Sequence, residues 1–324
     1  MHAARAQHRR FVIALGGNAI LPLGKRGTFD EQVAVTRQTM DQVAQLALEG
    51  HEIVMSHGNG PVVGNEVLRG DAGEQLHGIP AMPMFVCGAD SQGGLGFLIQ
   101  QSLQNALLAV GLERSVASVV TQVTVDRDDP AFASPTKPIG PFYDEAQARV
   151  VAQENGWTVV EDAGRGWRRV VPSPRPIAVV EWPAIKAMLE AGVLVVAVGG
   201  GGIPVGRDVD GQLTGVDAVI DKDRASDLLG RLVEADTLMI VTQIDRVFLR
   251  FGQPDAEALD VLDTARASEL LAAGEFPPGS MGPKIESALG FLEHGGREVV
   301  ITDPPNILEA VAGRAGTRIV SSAS

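Results

Sequence analysis

Short, unbroken apolar runs alternate with longer stretches in which apolar residues recur every three or four positions. Runs of the first kind fall at 11–15, 52–56, 115–120, 193–198, 237–242 and 298–302. Their length and β-branched content predict strands buried on both faces. Stretches of the second kind lie between them. Thr28 and Glu31 have the spacing of a capping box. Val33, Met40, Val43, Ala44, Ala47 and Leu48 then share one helical face, and Gly50 supplies a stop. Leu95, Leu98, Ile99, Leu103, Ala106 and Leu107 predict a second long helix over 92–110. Further helices are expected near 181–191, 216–230, 284–294 and 306–313. Strand and helix in alternation predict an α/β fold with a mostly parallel sheet covered on both faces.

One segment breaks this pattern. Residues 126–176 hold Pro130, Pro135, Pro138, Pro141, Pro172, Pro174 and Pro176, and the run from Gly164 to Arg169. Proline and glycine at that density fit neither a central strand nor a long helix. The segment is read as an inserted, hairpin-rich flap with one helix near 144–155. An ordinary surface excursion is the alternative. Lys137, Arg165, Arg168 and Arg169 favour a flap that reaches an anion.

Three apolar runs end in glycine-rich turns: Gly16-Gly17-Asn18, Gly58-Asn59-Gly60-Pro61 and Gly199-Gly200-Gly201-Gly202. Glycine at the carboxyl end of a strand lets backbone N–H groups approach a ligand, at the edge where open parallel sheets bind theirs. Tight strand-to-helix turns would also account for any one of them. Four glycines in a row exceed what a turn needs, so the set points to one anionic ligand held from several sides.

Composition narrows the class. The chain has 324 residues and a formal net charge of −13. That argues against nonspecific binding to nucleic acid, which rests on clustered Lys and Arg. Cys87 is the one cysteine, so no intrachain disulfide forms; its apolar surroundings mark it as a core residue. No apolar run has the length of a membrane span. Met1–Arg10 is read as a disordered tail and the protein as cytoplasmic.

The phosphate loop GxxxxGK[ST], GxGxxG, GxSxG, HExxH and CxxC are all absent. Phosphoryl transfer remains open, because it needs little beyond positioning and neutralised charge. Three lysines have the context for it. Lys222 lies between Asp221 and Asp223, Lys284 follows Gly279-Ser280-Met281-Gly282-Pro283, and Lys137 is flanked by Thr136 and Pro138. Each could equally be a solvated charge. His57 is read as a structural hydrogen-bonding residue at a strand end. Asp90, Asp126 and Asp245 are read as cap or turn residues rather than metal ligands, and no metal site is assigned.

These residues bring the chain close to a known family. ALGGNAI at 14–20, SHGNGP at 56–61, TQVTVD at 121–126 and PTKPIGPF at 135–142 resemble the carbamate kinases, a branch of the amino acid kinases. So do EDAGRGWRRVVPSPRPI at 161–177, GGGGIP at 199–204, VIDKD at 219–223 and PGSMGPKIE at 278–286. The resemblance covers about 11–320. It implies a three-layer αβα sandwich with a mostly parallel sheet of about eight strands and a small inserted lid subdomain. It implies reversible, Mg2+-dependent phosphoryl transfer between ATP and carbamate, running toward ATP from ADP and carbamoyl phosphate, in a homodimer. The acyl-phosphate part would be 11–125 and 177–198, the lid 126–176 and the nucleotide part 199–324. Gly16, Gly17, Asn18, Gly58, Asn59, Gly60, Gly200, Gly201 and Gly202 would hold the carbamoyl phosphate. Lys137, Lys222, Asp223 and Lys284 would be catalytic. Lys222, Thr242, Asp245, Ser280, Met281 and Lys284 would hold the nucleotide. The chain departs from the family pattern at Val62, Asp90 and Gln243. Phosphorylation of another small carboxylate such as N-acetylglutamate, or nucleotide sensing without turnover, are the alternatives.

Overall fold

A computed structural model describes residues 8–21, 27–161, 166–277 and 280–322, with the Asn18 side chain outside the description. An eight-stranded sheet forms the middle layer. Its order is Val261–Asp263, Thr317–Val320, Glu298–Thr302, Thr237–Val241, Arg10–Leu15, Glu52–His57, Leu194–Val196 and Val116–Ser118. The last six run parallel. Thr317–Val320 is antiparallel to Glu298–Thr302, and the edge strand Val261–Asp263 follows its direction.

Alternation along each strand divides the core in two. Phe11, Ile13, Leu15, Ile53 and Met55 face Met40, Val43, Leu98 and Leu103 of the helices Phe29–Leu48 and Met84–Ala109. Val12, Val54, Val195, Leu238 and Ile240 face Ile185, Leu229, Ile285 and Phe291 on the opposite side. Successive side chains of a strand point to opposite faces, so a central strand with both faces covered must be apolar throughout. The sandwich is therefore three layers deep. Among the described residues no helix is long and apolar enough to cross a membrane.

Several boundaries differ from expectation. The capping box forms, with Thr28 and Glu31 each bonded to the other's backbone, and Gly50 stops the helix at φ +93°. The second long helix starts at Met84 rather than 92, because Gly88, Gly93, Gly94 and Gly96 blur its period. A helix over Val62–His77 was not expected at all; Gly64, Gly70 and Gly73 interrupt its pattern. The helix expected from 216 starts at Lys222, where Asp221 caps it. Arg9 and Arg10 are not tail: Arg9 pairs with Glu298 at 2.5 Å and Arg10 with Glu52 at 2.5 Å. His8 is exposed, and residues 1–7 of the expected tail lie outside the described residues.

The 126–176 insertion carries a three-stranded antiparallel sheet, Lys137–Tyr143, Trp167–Val171 and Thr158–Glu161, with the helix Glu145–Asn155. A separate four-stranded sheet joins Leu213–Gly215, Ile203–Arg207, Gln122–Val125 and Pro176–Val179 at its base. Arg165 lies outside the described residues. Arg168 donates to the Gly140 carbonyl at 2.9 Å and lies 5.0 Å from the Phe142 ring; Arg169 lies 4.3 Å from the Trp157 ring. Arg169 also feels the carboxylates of Asp71 and Asp217, which lie outside the insertion.

Candidate active site

Register places the turns side by side. Leu15 pairs with Val241 on one flank and His57 on the other, so Gly16, Thr242 and Gly58 leave the sheet together. Gly16 N–H donates to Val241 O at 2.8 Å, and Gly58 N–H to Leu15 O at 2.9 Å. A Cβ on Gly17 would stand 2.6 Å from the Gly60 carbonyl oxygen, and one on Gly58 would stand 3.4 Å from Lys222 Cδ. The first two turns thus touch each other, and the Lys222 stem lies against them.

The third turn closes from the next strand. Val198 adopts φ 46°, an unfavourable region for a β-branched residue, and its N–H is held by Thr121 Oγ1 at 3.1 Å. Gly200, Gly201 and Gly202 all have positive φ. A Cβ at Gly199 would meet His57 Nε2 at 2.3 Å, and one at Gly200 would meet Asn59 Nδ2 at 2.4 Å. Gly199 and Gly200 thus pack on the second turn, while a Cβ at Gly201 would meet Ile220 O at 2.2 Å and one at Gly202 would meet Val123 Cγ2 at 2.1 Å. Gly201 and Gly202 N–H groups donate to Val198 O and Gly199 O, both at 3.0 Å. Gly16, Gly58, Gly201 and Gly202 therefore do not offer bare N–H groups, as the sequence pattern suggested. Strand-end and loop hydrogen bonds consume them, and these glycines supply close approach instead.

The lysines converge on two carboxylates. Lys222 opens the helix Lys222–Leu232, and Lys284 lies in the first turn of Met281–Glu293. Lys284 Nζ donates to Asp223 Oδ2 at 3.0 Å, and Lys222 Nζ makes a shorter bond to Asp223 Oδ1. Lys284 also reaches Ser280 O at 3.3 Å. From the insertion, Lys137 Nζ donates to Asp221 Oδ2 at 2.7 Å. Asp221 Oδ1 caps the helix by accepting from Asp223 N–H at 2.9 Å. Asp221 was not among the expected site residues. An aspartate directly before a helix, beside two charged residues, was its sequence signal.

Burial sets the electrostatics. Lys222 sits below its ordinary range because burial disfavours its charge, an effect Asp223 opposes. Burial works against Lys284 too, but Asp223 outweighs it and its pKa rises. Burial alone would raise both aspartates. Lys137 holds Asp221 well below the carboxylate range, and Lys222 and Lys284 do the same for Asp223. Burial pushes His57 down to about 4 against a weaker opposing bond to the Gly58 carbonyl, so its ring is neutral and unsuited to carrying charge. Three ammonium groups against two carboxylates leave a positive site within a chain of net charge −13.

Other expected residues divide. Thr242 borders Gly16, whose Cβ would lie 3.6 Å from Thr242 Cα. Asp245 lies on the same loop, 3.7 Å from Arg246, and Met281 packs against the apolar core. Pro278 and Gly279 lie outside the described residues. Asp90 stands exposed in the middle of the Met84–Ala109 helix, so it caps nothing; Asp126 does hold a turn, accepting from Asp128 N–H at 2.9 Å. Cys87 is buried, and burial pushes its thiol up, away from nucleophilic use.

The model of the amino acid kinase family matches residues 9–303. The carbamate kinase of Thermococcus kodakarensis is 49% identical over 313 residues, covering 96% of this chain and 99% of that one. The carbamate kinase-like protein YahI of Escherichia coli is 46% identical, covering 96% and 98%. Among solved structures, carbamate kinase from Giardia lamblia bound to AMP-PNP superposes with a TM-score of 0.89 at 39% identity, covering 98% of this chain and 99% of that one.

Proposed function

The chain belongs to the amino acid kinase family, in its carbamate kinase branch, and from that footing we propose that the lysine cluster transfers a phosphoryl group between carbamoyl phosphate and ADP. The observation that carries this is Asp223 holding two lysines from two helices at the carboxyl edge of the sheet, beside the glycine turns.

In the ATP-forming direction a terminal β-phosphate oxygen of ADP attacks the phosphorus of carbamoyl phosphate. The bond from phosphorus to the carbamoyl oxygen breaks, and carbamate leaves as an anion. No proton has to move, so no general base is required, in keeping with a neutral His57. The task is to hold two anions in line and to offset charge on the transferring group. Lys222, against the first two turns, faces the transferring phosphoryl. Lys284 neutralises the nucleotide phosphates, and Asp223 fixes the spacing between the two ammonium groups. Lys222 and Lys284 share the one carboxylate of Asp223, so an arriving phosphate supplies the counter-charge the pair is short of. Such preorganised charge is worth more than the same charge in water.

Gly17, Asn18, Asn59, Gly60 and Gly200 border the carbamoyl phosphate in this account. Gly16, Gly58, Gly201 and Gly202 hold the turns close. Thr242, Asp245, Ser280 and Met281 lie toward the nucleotide. We assign 11–125 with 177–198 to the acyl phosphate, 199–324 to the nucleotide and 126–176 to the lid. Among the described residues no three His, Cys, Asp or Glu side chains converge as a metal cage. A Mg2+ that travels with the nucleotide, held largely by phosphate oxygens, suits that donor set. Phe97 and Leu108, exposed on the Met84–Ala109 helix, fit a face covered in a homodimer, which sedimentation tests. Release of ATP from ADP and carbamoyl phosphate, dependent on Mg2+ and abolished by a chelator, tests the reaction. Carbamoyl phosphate consumed without ATP formed would overturn it.

A further inference from the structure

The lid meets the body at one point where no side chain intervenes. Gly64 lies in the first turn of the Val62–His77 helix, and Gly140 lies in the lid strand Lys137–Tyr143. A Cβ on Gly64 would stand 2.3 Å from Gly140 Cα and 2.4 Å from its nitrogen. Gly140 itself has φ +71°, which excludes most side chains there as well. From the lid side, Arg168 Nη2 donates to the Gly140 carbonyl at 2.9 Å and braces the strand. Beside this contact, Ile139 and Val171 of the lid pack with Val63, Met84, Cys87 and Val219 of the body. The seam lined by Gly64, Val67, Ile139, Gly140 and Tyr143 leaves a half-open cleft of only ≈ 10 Å³, at the lower limit for one water.

Lys137 stands three residues before Gly140 on the same strand, and its Nζ is 2.7 Å from Asp221. Lys137, Pro138 and Ile139 pair in register with Val171, Val170 and Arg169 up to the irregularity at Gly140, so the depth to which Gly140 seats bears on the reach of Lys137. Carbon atoms rest about 3.5–4.0 Å apart, so a methyl group at position 64, starting 2.3 Å from Gly140 Cα, would lift the strand by about 1 Å or more. We infer that Gly64 is a positioning residue: it is the seat on which the lid rests, and it sets where Lys137 stands over the transferring phosphoryl. The kinetic part of this rests on the function proposed above; the seating itself does not.

The test is Gly64→Ala, with Gly73→Ala as the control on the same helix, where a Cβ meets only Ile79 Cβ at 3.9 Å. Alanine favours a helix over glycine at both positions, so helix propensity alone predicts no harm from either. Amide exchange across 137–143 is measured on the full chain without ligands. Gly64→Ala should speed it by about tenfold or more, and Gly73→Ala should leave it unchanged. A displacement of this size should lower kcat for ATP formation by about 10–10² with a smaller change in the KM for ADP. In a Lys137→Ala background the same substitution should cost little further, because it acts through that lysine. Should Gly64→Ala not fold, Ile139→Val trims the lid contact without a clash and must raise exchange in the same segment. Unchanged exchange in the folded Gly64→Ala protein, or a kcat loss that adds fully to that of Lys137→Ala, overturns the inference. If the parent protein forms no ATP, the proposed function fails while the exchange result still decides whether Gly64 seats the lid.

Discussion

Asp223→Asn removes one charge from the centre of the site and almost no volume. Asp223 is 2% exposed, and ammonium groups occupy both its oxygens, Lys284 at 3.0 Å and Lys222 closer. At an effective dielectric of about 20, one contact at 3.0 Å amounts to about 5 kcal/mol of Coulomb attraction. Deleting one partner of a buried pair typically costs about 3–5 kcal/mol. The lysines can relieve part of that by releasing a proton. Lys222 should release it first, because burial already depresses its pKa and Asp223 is the main group opposing that. Loss of Asp223 lowers the Lys222 pKa further, so the neutral amine gains population as pH rises. A neutral Lys222 offers the transferring phosphoryl no charge, which should lower kcat by about 10²–10³ near neutral pH. Lowering the pH restores the ammonium, so the variant should regain part of its turnover as the pH falls. Lys222→Ala has no amine to recharge and should show no such recovery. ATP formation coupled to an indicator enzyme, read across pH in the variants and the parent, gives both quantities. An Asp223→Asn protein with more than about half of parental turnover and the parental pH profile would refute the role of this carboxylate.

Three further outcomes follow from the same geometry. Lys222→Ala should lower turnover by about 10²–10³ while thermal unfolding changes far less; retention of half the parental rate would leave Lys222 a structural residue. His57 titrates at 6.5 in the unfolded chain and at about 4 when folded, so the unfolded state binds more protons in that window and stability should fall as pH drops through it, by about 3 kcal/mol in all. Denaturant titrations of the parent and His57→Gln at both ends of the window check this, and equal slopes would contradict it. Amide exchange over 130–161 and 166–170 should slow when ADP and a carbamoyl phosphate analogue bind together; identical exchange with and without ligands would make the insertion a static decoration.

The parallel core was legible because its strands are buried on both faces, and continuous apolar runs such as 11–15 and 237–241 have no other use. The inserted subdomain was legible from its prolines, but the use of Arg168 and Arg169 was not. Stacking on Phe142 and Trp157 depends on a hairpin register that composition does not carry. Lys137, Lys222 and Lys284 stand out by context and Asp223 by the family resemblance, and the fold brings all four together. Asp221 was hidden as an ordinary cap. The glycine turns were located correctly but read too simply: spacing cannot reveal that Gly16, Gly58, Gly201 and Gly202 spend their N–H groups within the protein. The Val62–His77 helix was lost because the glycine that lets the lid seat also interrupts the helical pattern.

Phosphoryl acceptor choice bears most directly on the whole account. Purified protein with Mg2+ is given ADP and carbamoyl phosphate and ATP is followed; in parallel it is given ATP with carbamate or with N-acetylglutamate and ADP is followed. ATP should form from carbamoyl phosphate, carbamate should serve as acceptor in the reverse direction, and N-acetylglutamate should not be phosphorylated at a comparable rate. Preferential phosphorylation of N-acetylglutamate, or no transfer in either direction by folded protein that binds ADP, would contradict the assignment.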